Sequence, residues 1–77
     1  MNLYAEIILN SESLEIDRPF TYKIPLEFQE KVQVGQIVKV PFGMGNKTSE
    51  GFVLAIKQED EVDINFRVKK ISDIITN

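Results

Sequence analysis

Two prolines constrain this chain more than any other feature. They bracket the stretch RPFTYKIP, which runs from Arg18 to Pro25. Proline carries no amide hydrogen for a ladder, so within sheets it is confined to strand ends, edge strands and bulges. Between Pro19 and Pro25, Phe20, Tyr22 and Ile24 alternate with Thr21 and Lys23. That is the period of a strand with one buried and one polar face. The stretch predicts a short, half-buried strand ended by its prolines.

The remainder reads as further strands and turns. Leu3–Leu9 (LYAEIIL) is short and rich in β-favouring residues, which predicts a strand. Asn10 to Asp17 is a polar, acidic loop with Leu14 and Ile16 as tethers to the core. Leu26 to Lys31 has room for one helical turn, and Val34-Gly35-Gln36 forms a turn into a strand over Ile37–Phe42. There Val38, Val40 and Phe42 alternate with Ile37, Lys39 and Pro41. Gly43 to Thr48 is a glycine-punctuated hairpin loop. Gly51 to Lys57 runs back as a strand, with Phe52, Leu54 and Ile56 expected on one face. Gln58 to Asp63 is an acidic loop. Arg67 to Ile75 fits a helical stripe as well as a strand, and its β-branched content favours the strand. Short strands at near-regular spacing predict an all-β fold, a small barrel or curled antiparallel sheet.

Composition narrows the chemistry. The 77 residues form a single domain, 1–77, which buries about 60% of its unfolded surface. There is no cysteine and no histidine. Disulfides, zinc-finger ligands, thiol nucleophiles and imidazole bases are therefore all excluded. No run approaches the ~20 apolar residues of a membrane span, and a cytoplasmic setting is expected. The net charge of −3 opposes broad nucleic-acid binding, which rests on phosphate neutralisation. Any contact with DNA must be small and local.

Several constellations have simpler readings. GMGNKT lacks the glycine before lysine and the following helix that a phosphate loop requires, so it reads as a hairpin turn. Glu59, Asp60, Glu61 and Asp63 lack the spacing of a calcium loop and read as solvated. Neither a metal nor a cofactor is implied, and no nucleophile has a candidate base, so no enzyme is expected in these residues. Phe20, Tyr22, Phe42 and Phe52 with Lys39, Lys69 and Lys70 form either a base-stacking patch or, for most of the aromatics, ordinary core.

RPFTYKIP, VGQIVKVPFG and GFV occur in that order. With YAEIIL at the start and RVKKISDII near the end, the set resembles the N-terminal 3′-DNA-binding domain of the PriA family. These are the bacterial replication-restart helicases also called primosomal protein N′. The resemblance implies a mainly β, open, OB-like barrel, excised from a longer helicase whose ATPase motifs are absent here. It implies recognition of the 3′ end of the nascent leading strand at stalled forks, with single-stranded or forked DNA and the parent's other domains as partners. The isolated domain is expected to be a monomer. Carried over residue by residue, the pocket draws on Phe20, Thr21, Tyr22, Gly43 and Lys69. An aromatic edge confines the terminal base, glycine admits backbone close to the sugar, and lysine offsets phosphate.

Many members of that family have aspartate where this chain has Thr21. A neutral hydroxyl makes a bond roughly half as strong. End selectivity is then expected in weakened form, or with Asp17 contributing. Two other readings stay open. One is a protein-interaction or structural module that docks on the helicase core or a primosome partner, without its own DNA-end pocket. The other is a general barrel of the translation or transcription machinery, since VGQIVKVP-like turns recur in small barrels.

Overall fold

A computed structural model describes residues 2–9, 19–42, 47–61 and 68–76. The strands are β1 (Leu3–Leu9), β2 (Phe20–Ile24), β3 (Ile37–Pro41), β4 (Thr48–Gln58) and β5 (Asp73–Ile74). They form one antiparallel sheet in the order β2-β1-β4-β3-β5. Single 3-10 turns occupy Leu26–Phe28 and Glu59–Glu61. The 10–17 loop with Leu14, Ile16 and Asp17, the hairpin residues 43–46, Asp63 and Arg67 lie outside the described residues.

The two prolines act as expected. Pro19 immediately precedes β2 and Pro25 immediately follows it. The inner face of the sheet carries Ala5, Ile7 and Leu9 from β1, Tyr22 and Ile24 from β2, Val38 and Val40 from β3, and Val53 from β4. Val32 and Ile71 close this core from the connecting segments.

Two expectations need correction. Phe52, Leu54 and Ile56 do not share a face. The β1–β4 register runs Glu6↔Ala55 and then Ile7↔Val53, which leaves Leu54 as an extra residue in β4. This bulge reverses the alternation. Ile56 packs on the core opposite Ala5, while Phe52 and Leu54 are exposed on the outer face. The C-terminal segment is likewise not one strand. Lys70 makes an isolated bridge, and only Asp73–Ile74 is ladder-paired.

That tail reveals how far the sheet curls. Ile71 N donates to Lys23 O on β2 (3.0 Å), and the next amide, Ser72 N, donates to Lys39 O on β3 (2.7 Å). In a flat sheet, strands in the first and fourth places lie about 14 Å apart. Two consecutive amides span them only if they approach within about 10 Å. The sheet is thus curled into an open barrel in which β2 and β3 face each other across a seam and share no ladder.

The loop before β3 is organised by a buried polar group. Gly35 adopts φ +98 in the expected turn, a conformation that costs glycine little. Gln36 is buried, accepts from Gln33 N (2.8 Å) and donates to Lys31 O (3.2 Å). Gln36→Leu would leave both backbone groups without these partners. A loss of about 1–3 kcal/mol is expected, measurable as a lower urea midpoint with an unchanged slope.

Candidate nucleic-acid interface

The β2–β3 seam brings together RPFTYKIP and VGQIVKVPFG, whose strands are first and fourth in sheet order. Tyr22 Oη donates to Pro41 O at 2.8 Å. The Phe20 ring meets that of Phe42 edge-on, with centroids 5.6 Å apart and an interplanar angle of 68°. This edge-to-face arrangement is favoured by the ring quadrupoles. Phe20 and Tyr22 of β2 therefore meet Pro41 of β3 and the following Phe42 across the seam. Gly43, which follows Phe42, lies outside the described residues.

The aromatics have different exposures. Tyr22 is 5% exposed and belongs to the core, whereas Phe20 and Phe42 are half-buried. Burial raises the Tyr22 phenol above its ordinary value near 10, because the phenolate would be desolvated. Of the two β2 aromatics, Phe20 is the one with a substantial edge open to a ligand.

Thr21 and Lys23 project from the opposite face of β2. Thr21 stands opposite Glu6 of β1 and donates its hydroxyl proton to Glu6 Oε2 at 2.7 Å. The Thr21 hydroxyl thus has its proton committed, and two lone pairs remain to accept. Glu6 is also 3.9 Å from Lys57 Nζ through Oε1.

Lys69 reaches this region through its backbone. Lys23 N donates to Lys69 O (2.9 Å), and Lys23 and Lys70 form a parallel bridge. Lys23, Lys69 and Lys70 therefore gather at the outer edge of β2 on a chain of net charge −3. A cleft of about 330 Å³ opens between Asn2, Lys23, Pro25 and Lys70. Among the described residues, no group of three or more acidic, histidine or cysteine side chains is placed to hold a metal. No described helix is long and apolar enough to cross a membrane.

The structure thus joins Phe20, Tyr22 and the Lys69 backbone around one strand, with Thr21 on its other side. Sequence reasoning missed Glu6 and Lys23. Glu6 had a signal as the lone acid in the apolar run YAEIIL. Lys23 had none, since its neighbours come from the chain's far end.

A family model described as 3′DNA-binding domain (3′BD) of PriA matches residues 6–77. Replication restart protein PriA of Bacillus subtilis (strain 168) is 36% identical over 72 residues, covering 94% of this chain and 9% of the relative. The chain therefore spans about a tenth of that relative's length. No solved structure gives a significant match. With the match extending over nearly its whole length, the chain belongs to the PriA 3′DNA-binding domain family.

Proposed function

We propose that this DNA-binding domain holds the free 3′ end of a DNA strand at a replication fork, within a longer replication-restart protein. The observation that carries the reading is the β2–β3 seam. It sets Phe20 and Phe42 edge to face at one side of β2 and gathers three lysines along that strand's outer edge. Each part has a chemical use. The half-buried Phe20 edge gives a terminal base an apolar wall of the kind that stacking sites use. The Thr21 oxygen, on the other face of β2, accepts a hydrogen bond from a sugar hydroxyl. Lys23, Lys69 and Lys70 oppose the phosphates behind the terminal unit.

A local cation group reconciles DNA binding with a net negative chain. The domain contacts one or two phosphates, so log affinity should fall with log salt at a slope of about −1 to −2. A slope steeper than about −4 would require an extended basic track instead.

The direct test is fluorescence anisotropy of the 77-residue chain with two single-stranded oligonucleotides. They share a sequence and end in a 3′-hydroxyl or a 3′-phosphate. The hydroxyl end should bind about five- to tenfold tighter, the worth of one hydrogen bond. Equal affinities would remove end recognition.

A second reading is favoured by the outer face. Ile8, Phe52 and Ile37 form one cross-strand row, and Phe52 and Leu54 are exposed beside it. Such a row suits docking against the rest of a parent protein. An NMR titration separates the readings. Shifts confined to Phe20, Thr21, Gly43 and Lys69 on adding a 3′-hydroxyl oligonucleotide support the pocket, and their absence supports docking alone.

A further inference from the structure

Resting on the end-binding reading above, we propose that Glu6 is the residue that selects a free hydroxyl over a phosphate, acting through Thr21. A threonine hydroxyl has one proton and two lone pairs. The Thr21 proton goes to Glu6 Oε2 at 2.7 Å, so toward any ligand Thr21 Oγ1 can only accept. An ionised carboxylate is also acceptor-only. The Thr21–Glu6 pair is thus a surface that offers lone pairs and no proton.

A strand ending in a hydroxyl suits that surface, because it has a proton to give. A strand ending in a phosphate does not. The monoester carries about −1.5 to −2 charges at neutral pH and brings acceptor oxygens. It faces lone pairs with lone pairs, beside a carboxylate of the same sign.

Three features hold Glu6 in this role. It lies on β1, between Thr21 of β2 and Ala55 of β4. Ala55 is small, and Lys57, two residues further along β4, reaches Glu6 Oε1 from that side at 3.9 Å. Its side chain is only 19% exposed. The ammonium therefore anchors the oxygen directed toward β4, while the other oxygen fixes the Thr21 proton. Glu6 orients the hydroxyl, and its own charge repels a second anion.

The test compares affinities for the 3′-hydroxyl and 3′-phosphate oligonucleotides in the wild-type chain, Glu6→Gln and Thr21→Val. In wild type the hydroxyl end is preferred by about five- to tenfold. Glu6→Gln replaces the charge with an amide that can donate. It should tighten binding of the phosphate end and loosen that of the hydroxyl end, bringing the ratio within about twofold. A gain in phosphate-end affinity is a readout that a purely structural role would not produce. Thr21→Val keeps a β-branched residue at the site and removes the acceptor, so the ratio should fall through weaker hydroxyl binding. A folded Glu6→Gln chain with the wild-type ratio overturns the assignment to Glu6 and leaves end recognition standing. If Glu6→Gln does not fold, an unchanged ratio in Thr21→Val overturns it. A wild-type ratio of one removes both the end-binding reading and this one.

Discussion

Gly51→Val is expected to cost the fold about 3 kcal/mol or more, a large share of its total stability. Gly51 lies on β4 between Leu9 of β1 and Val38 of β3, on the inner face of the sheet. A Cβ built there meets Ile7 Cγ2 below ordinary contact distance, with Ile8 O at 3.1 Å and Leu9 Cδ2 at 3.5 Å. The carbonyl of Ile8 is backbone, and Ile7 is fully buried, so neither can move aside easily. Overpacking of this kind typically costs about 1–3 kcal/mol. Valine adds three heavy atoms, which places the loss at the top of that range or above it. A domain this short has only about 4–11 kcal/mol in total. Gly51→Ala should lose about 1–3 kcal/mol and Gly51→Val at least the top of that range, read as successively lower urea midpoints. A valine variant with the wild-type midpoint would show that β1 and β4 can separate without loss.

The close approach at Gly51 was not legible in the chain, since a glycine among Glu50, Phe52 and Val53 reads equally as a turn's end. What was legible followed from local period. Alternation in Phe20–Ile24 and Ile37–Phe42 survives because each strand buries one face. The prolines mark the ends of β2 because their missing donors exclude them from the ladder beyond. In β4 the same rule failed at Leu54, where a bulge adds one residue and no glycine or proline announces it. The tail failed for another reason. Its amides turn to β2 at Ile71 and to β3 at Ser72, so it follows neither the helical nor the strand period. The site divided along the same line. Phe20, Thr21 and Tyr22 were proposed from their motif, but alternation alone does not tell a buried tyrosine from an exposed one. The Thr21–Glu6 bond joins residues 15 apart in sequence, and the Lys23–Lys69 bond joins opposite ends of the chain. Both depend on long-range register, which no short stretch encodes.

The second large effect is expected at Tyr22, where two substitutions separate its roles. Tyr22→Ala removes a buried ring and the bond across the seam, with a cost of about 3–5 kcal/mol. Tyr22→Phe keeps the ring and removes only the donor to Pro41 O, with a cost of about 0.5–1.5 kcal/mol. Wild type and Tyr22→Phe should also differ in alkali. Burial raises the folded-state phenol above the ordinary value near 10. The unfolded chain therefore loses this proton first, and the stability Tyr22 contributes is full below that pH. It declines as pH rises from there through the raised folded value. Urea midpoints measured across that range should fall for wild type, and Tyr22→Phe should lack this component of the fall. The comparison bears on DNA as well. Thr21 and Glu6 lie on the face of β2 opposite the Tyr22 ring, so Tyr22→Phe should keep the preference for a 3′-hydroxyl. A folded Tyr22→Phe chain that binds both ends equally would instead place the phenol in the ligand's path, and the seam would have to open for a nucleotide to reach it.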